Sequence, residues 1–283
     1  SKILSFAGRW GNEFQSQSID RFMGAYVREN RSGRTSHDSF PGVIVHTEQT
    51  NETSGSAYGL HLGWSGNHHV RVEEQFTGQA YAQLGELFLP GEMLLEPGQA
   101  YKSPVLFGAS TDKGLSALSG AFHRHVRAKL TDRRIANKIR PVHFNTWEAV
   151  YFDLSLERLR ILAEHAREVG AERFVLDDGW FKNRKSDNAG LGDWTVDKTI
   201  FPAGLAPLIN HVYKNDMEFG LWVEPEMVNP DSDLYRAHPD WVLNTQPAPL
   251  LSARNQLVLD LTRVEVQDYL FERLDALLNE YPI

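Results

Sequence analysis

No cysteine occurs in the 283 residues. That removes disulfides, cysteine nucleophiles and thiolate metal ligands, and it fits a reducing compartment such as the cytoplasm. No run approaches the roughly 18 consecutive apolar residues that would span a bilayer. The opening residues, Ser1-Lys2-Ile3-Leu4-Ser5-Phe6, lack the long apolar stretch of a secretory signal. The chain starts on Ser1 in place of methionine, so residues ahead of it are expected. Positive charge is in deficit: 29 Lys and Arg against 37 Asp and Glu give a net charge of −8. Neither nucleic acid nor a membrane surface is therefore an expected partner. No glycine-rich phosphate loop of either common spacing is present, which disfavours a dinucleotide-dependent dehydrogenase. His123 and His125 are two apart on a helix and diverge, while His68 and His69 face opposite sides of a strand, so no metal and no cofactor are expected.

Aromatic residues are plentiful, with 7 Trp, 9 Tyr and 15 Phe. Most belong in a core, but aromatic faces also suit flat apolar surfaces such as sugar rings. Apolar residues at 41% and charged residues at 23% are an ordinary globular mix, enough for a sizeable core.

The chain has two rhythms. Up to about residue 111, short alternating runs recur, among them Gly42-Val43-Ile44-Val45-His46, Tyr58-Gly59-Leu60-His61-Leu62 and Val70-Arg71-Val72-Glu73. Leu87-Phe88-Leu89, Met93-Leu94-Leu95 and Val105-Leu106-Phe107 extend the series, broken by turns at Pro90-Gly91 and Pro97-Gly98. This pattern predicts an N-terminal β-sandwich over residues 1–111. Leu115, Leu118, Phe122, Val126 and Leu130 then form one helical stripe that Asp112 can cap. With the basic stretch Arg133 to Arg140 it makes a helical linker over residues 112–140.

From residue 141 strands and helices alternate. Val142 to Trp147 reads as a strand, and a helix capped by Ser155 and closed by Gly170 follows. Arg173-Phe174-Val175-Leu176 is a strand ending on Asp177-Asp178-Gly179-Trp180, and Phe219 to Val223 is a strand ending on Glu224-Pro225-Glu226. Leu257-Val258-Leu259 is expected as a fourth strand, followed by a helix whose capping box is Thr262 and Glu265. Apolar strands alternating with helices predict a parallel sheet covered by helices. Polar and aromatic residues gather at the strands' C-terminal ends, where a (β/α)8 barrel places its site. Such a barrel takes about 250 residues, so residues 141–283 are expected to hold only the first half of a TIM barrel. A half barrel leaves an unpaired edge, and early proteolysis is expected between about Arg133 and Arg140 or in the loop Lys182 to Gly190.

Asp177-Asp178 is the sharpest local feature. Carboxylates accept hydrogen bonds from paired sugar hydroxyls, and they can also act as acid and base. Glu224 and Glu226 are either a catalytic pair or a strand-end network. Trp222 points the same way along its strand. Arg254 offers five donors in a rigid fork, which serves a ligand or a surface ion pair.

Four segments resemble the α-galactosidases of glycoside hydrolase family 36. They are Phe174 to Phe181, Leu191-Gly192-Asp193-Trp194, Gly220 to Met227 and Arg254 to Asp260, with Pro230 to Trp241 and Gly8-Arg9-Trp10 in the same pattern. The resemblance implies a sandwich, a (β/α)8 barrel and a C-terminal β-domain, often assembled as a tetramer. It implies retaining hydrolysis of terminal α-galactosides of the melibiose and raffinose type through two aspartates. By that resemblance the nucleophile, in a Lys-Trp-Asp segment, and the acid/base are expected beyond Ile283, so no catalytic residue is assigned here. It makes Asp177 and Asp178 sugar-binding, adds Trp222, Arg254 and Trp147 as substrate-binding positions, and makes Trp10 a residue approaching the site from the N-terminal domain. Glu224 and Glu226 become structural. A non-catalytic galactoside-binding protein and a galactosyltransferase of the raffinose-synthase kind are the alternatives.

Overall fold

The computed structural model describes residues 1–20, 23–35, 38–244 and 254–283. Its contacts divide the chain into two units, Ser1–Lys138 and Ile139–Ile283.

Strands dominate the first unit: β1 (Lys2–Arg9), β2 (Asn12–Asp20), β3 (Gly24–Asn30), β4 (Gly42–His46), β5 (Ala57–Leu62), β6 (His68–Glu74), β7 (Ala80–Glu86) and β8 (Leu106–Thr111). They form two antiparallel sheets, in the orders β2-β1-β4-β5-β8 and β3-β6-β7. Alternation gives each sheet one apolar face. Ile3 and Val43 from the first and Val70 and Val72 from the second meet in a shared core. The buried Ser5 on β1 is not left unpaired, because Tyr26 Oη and Arg28 Nη1 of β3 donate to its hydroxyl at 2.8 and 2.9 Å. A helix, α1 (Gly114–His125), follows β8 and runs on as a π-helical turn, Val126–Leu130.

Two details differ from expectation, and one strand, β2, is not singled out by it. Leu87–Leu89 and Met93–Leu95 form no strand, because turns at Glu92 N to Leu89 O and Gln99 N to Glu96 O carry the chain instead. β2 is nearly all exposed and polar, so it has no alternation to betray it. Asp112 does not cap α1, whose N-cap is Lys113 without a side-chain bond.

Between β1 and β2 the register slips at Ala7/Arg9. Gly8 sits there at φ +146°, where a Cβ would lie 2.1 Å from Asn12 O. Gly11, at the hairpin tip, has φ +79° but open space around it. Gly11→Ala is expected to cost about 1–2 kcal/mol for its backbone conformation alone. Gly8→Ala adds a backbone collision and is expected to cost about 3 kcal/mol, the upper end for a strained residue. Urea denaturation of the two variants compares them, and equal losses would show that the bulge yields.

The second unit alternates strands with helices. Its elements are β9 (His143–Asn145), α2 (Trp147–Val150), α3 (Leu156–Glu168), β10 (Arg173–Leu176), α4 (Ala206–Lys214), β11 (Glu218–Leu221), β12 (Met227–Val228), α5 (Asp233–Ala237), β13 (Leu257–Val258) and α6 (Val264–Glu280). β9, β10 and β11 are parallel neighbours in chain order, with Phe144, Phe174 and Phe219 in register. Leu159, Ala163 and Ala166 of α3 and Leu208, Ile209 and Val212 of α4 share a core with Phe174, Leu176 and Phe219. Ser155 caps α3 by accepting from Arg158 N at 3.2 Å. Gly170, at φ +90°, closes α3 in a Schellman turn, with Ala171 N donating to Ala166 O at 2.9 Å.

The expected fourth parallel strand does not join this sheet. β13 pairs antiparallel with β12 instead, Met227 opposite Val258. The expected capping box of α6 is also absent. Thr262 donates from both N and Oγ1 to Asp260 Oδ1, and Arg263 becomes the N-cap.

Candidate functional site

The parallel strands release their chains at one end, and the polar groups expected there meet at the exits of β9, β10 and β11. The Asp177 amide donates to Thr146 Oγ1 at 2.9 Å. Asn145 Nδ2 donates to Asp177 Oδ2 at 2.5 Å, and Asp178 N donates to Oδ1 at 2.7 Å. Asp177 is thus aimed by the end of β9 and by its own turn, and it remains half-buried. Trp147 is not a strand residue. It begins α2, its amide is held by Asn145 Oδ1 at 2.8 Å, and its ring meets Tyr151 and Phe152 edge-on.

Asp178 turns the other way and is 4% exposed. Arg184 Nε and Nη2 donate to its two oxygens at 2.8 and 2.7 Å, and Gly179 N adds a bond of 2.7 Å to Oδ1. Adjacent residues on a strand face opposite sides, and here that separates a half-exposed carboxylate from one sealed in an ion pair. Two such neighbours cannot flank a glycosidic bond, which needs carboxylates about 5 Å or more apart on opposite sides of the sugar. An acid/base role for the pair therefore does not fit the geometry. Hydroxyl binding does, through the free acceptor capacity of Asp177.

Arg184 carries no signal in the sequence. It is fully buried, its guanidinium lies over the rings of Phe152 and Phe181, and Nη1 donates to Ala189 O and Asn229 Oδ1. Asn229 is equally buried. Its Oδ1 also accepts from Leu191 N, and its Nδ2 donates to Asp187 O and Asn255 O. The loop from Lys182 to Gly190, expected to be open to proteases, is therefore pinned from inside by Arg184 and Asn229. An Asn-Arg-Lys-Ser-Asp stretch looks solvated, and nothing in its composition signals a buried arginine. Asp193, of Leu191-Gly192-Asp193-Trp194, acts locally, since its oxygens accept from Asp233 N and Leu234 N at the start of α5. Burial still pushes its carboxyl above the ordinary value.

Trp222 follows β11, its amide still bonded to Leu176 O at 2.9 Å. Its carbonyl accepts from Trp180 Nε1 at 2.9 Å, and its ring lies 6.3 Å from that of Trp194. Arg254 is exposed, at φ +53°, with Nη2 3.8 Å from Asp187 Oδ1. Through Asn145, Arg184, Asp187 and Asn229, bonds and ion contacts run from Trp147 and Asp177 to Arg254. Trp10 belongs to the first unit, where it stands at the β1–β2 hairpin tip at 86% exposure.

Glu224 is half-buried and accepts from Gln256 Nε2 at 3.3 Å. Burial pushes its carboxyl above the ordinary glutamate value, Arg254 and Arg184 pull it down, and Glu226 and Asp178 push it up. Glu226 is exposed.

The matches to known proteins divide the chain earlier than its contacts do, between residues 96 and 100 and not between Lys138 and Ile139. Residues 1–96 match the glycosyl hydrolase family 36 N-terminal domain, and residues 100–283 match the family described as Melibiase. The chain belongs to glycosyl hydrolase family 36, with an N-terminal sandwich and part of a TIM barrel. An α-galactosidase of Escherichia coli is 45% identical over 282 residues, covering 100% of this chain and 40% of the relative. Alpha-galactosidase AgaA of Geobacillus stearothermophilus is 38% identical, over 99% of this chain and 38% of its own. Crystal structures of AgaA variants in complex with stachyose and with raffinose superpose with a TM-score of 0.93 at 37% identity, over 100% of this chain and 39% of theirs. The chain thus spans about 40% of the length of the curated relatives it matches.

The raised Glu224 carboxyl gives a signed prediction. The folded state holds this proton more tightly than the unfolded state does. Stability from this group is present below the ordinary glutamate range and falls as pH rises through the folded value. Glu224→Gln keeps an acceptor for Gln256 and has no proton to lose. It is expected to melt above the wild type at about pH 7, with the gap closing towards about pH 4. A variant less stable at neutral pH would mean that the Glu224 charge is needed beside Arg254.

Proposed function

We propose that the whole protein is a retaining α-galactosidase acting on terminal α-galactosides of the melibiose and raffinose type. In this reading residues 1–283 supply the galactose-recognising part of its site. Asp177 accepts sugar hydroxyls, Asp178 backs it from the Arg184 ion pair, Trp222 offers a ring face, and Arg254 donates. Trp147 borders the site. Trp10 is a further recognition residue in the assembled tetramer. In this reading the reacting carboxylates lie outside these 283 residues, because the adjacent Asp177 and Asp178 cannot flank a glycosidic bond from both sides. A cytoplasmic location suits the cysteine-free composition.

The observation that carries the reading is the half-exposed Asp177, aimed by Asn145 and Thr146 at the mouth of parallel strands. The match to relatives named as α-galactosidases supplies the substrate class.

Hydrolysis of an aryl α-galactoside tests it. The isolated 283-residue chain is expected to turn over none, and the whole protein to be active. Asp177→Asn in the whole protein is expected to raise KM and lower kcat/KM about tenfold or more, from charge-assisted bonds worth about 1.5–3 kcal/mol each. Unchanged kinetics would reduce the Asp177-Asp178 motif to a turn. Turnover by the isolated chain would place the reacting groups within it.

A further inference from the structure

We propose that Asp187 is a positioning residue for ligand recognition, holding the Arg254 guanidinium at the mouth of the site. This rests on the galactoside-binding reading above.

Asp187 lies on the loop between β10 and α4, and Arg254 lies on the segment before β13, so nothing in sequence joins them. One buried amide does. Asn229 Nδ2 donates to Asp187 O at 2.9 Å and to Asn255 O at 2.8 Å. The two backbones are therefore fixed against the same atom. Arg254 and Asn255 both stand in the left-handed region, at φ +53° and +58°. Non-glycine residues hold that conformation when the surroundings impose it, and the bond from Asn229 is part of that imposition.

The side chains complete the arrangement. Arg184 has five N–H donors. Four go to Asp178 Oδ1, Asp178 Oδ2, Ala189 O and Asn229 Oδ1. The remaining one is on Nη2, which stands 3.9 Å from Asp187 Oδ1. The same Oδ1 stands 3.8 Å from Arg254 Nη2. That oxygen is buried and has no hydrogen-bond partner among the described residues. It lies between two cations, one locked and one exposed. Arg184 cannot move, so it fixes Asp187, and Asp187 sets where Arg254 rests.

Stability does not account for the outer half of this relay. The Asp187 and Arg254 side chains are 48% and 63% exposed, and an exposed pair at this distance contributes little to folding. Its consequence is a guanidinium held with donors free for a ligand oxygen, which reduces the ordering cost of binding.

The test is a double-mutant cycle in the whole protein, with an aryl α-galactoside as substrate. Asp187→Asn keeps the shape and removes the charge. It is expected to raise KM about three- to tenfold with kcat within about twofold and the melting temperature unchanged. Asp187→Glu, whose extra methylene can reach across the gap, is expected to recover most of the loss. Arg254→Gln raises KM further, and the double variant should match Arg254→Gln alone, because Asp187 acts only through Arg254. Additive effects in the double variant, or a fall in kcat with KM unchanged, overturn the inference while leaving the galactoside reading intact. An inactive wild type that also fails to bind galactose overturns both, and that is read before any variant is made.

Discussion

A buried guanidinium has to be paired, and the second unit is arranged around meeting that demand. Taking both charges of Arg184 and Asp178 out of water costs several kcal/mol each unless the remaining donors and acceptors are satisfied. Here the fork is bidentate, the carboxylate takes an extra amide, and the guanidinium edges find a carbonyl and an amide oxygen. Two phenylalanine rings lie near it, their centroids 5.4 and 5.7 Å from its Cζ. Removing one partner would leave an uncompensated buried charge, typically about 3–5 kcal/mol. The loop from Lys182 to Gly190 has no regular structure of its own, so this pair and Asn229 give it a fixed path back to the strand ends.

The same pair decides what each member of the Asp177-Asp178 doublet can do. Strand alternation alone would send one inward and one outward. The inward carboxylate would be prohibitive unpaired, and Arg184 makes it tolerable. That leaves Asp177 to face the mouth, with Asn145 and its own turn fixing its rotamer. Beneath them Trp180, Phe181 and Trp194 fill the space below the strand exits, all buried. Trp180 also spends its indole N–H on the Trp222 carbonyl, which ties the β11 exit to that of β10.

The elements legible in the sequence are those with a periodic signal: the strands with one wet face, the apolar run Phe174-Val175-Leu176, and the helix between Ser155 and Gly170. The misreadings share a cause. β2 has no apolar face, so no alternating run marks it in the sequence. Leu257-Val258-Leu259 is apolar enough for a parallel strand, yet its partner is β12, and pairing is not written in composition. At the site, the residues that stand at strand ends could be picked out. Arg184, Asp187 and Asn229 could not, because their roles come from contacts 3 to 67 residues apart in sequence. A buried arginine has the same letter as an exposed one.

Carboxylates near the strand exits show how environment sorts one functional group into different roles. Asp178 is neutralised by an arginine. Asp193 spends both oxygens on the first turn of α5. Glu224 is held by burial in a state that gives up its proton late. Asp187 divides its charge between two guanidinium groups. Retaining chemistry asks for one ionised carboxylate in line with a sugar carbon and a second opposite it that can carry a proton. None of these four is in a position to do either, since each is tied to a partner on its own side of the strand exits. Two of the four reach the proposed recognition residues: the Asp178 amide donates to Asp177 Oδ1, and Asp187 Oδ1 stands 3.8 Å from Arg254 Nη2. Such preorganisation lets binding energy go to the ligand and not to ordering the site.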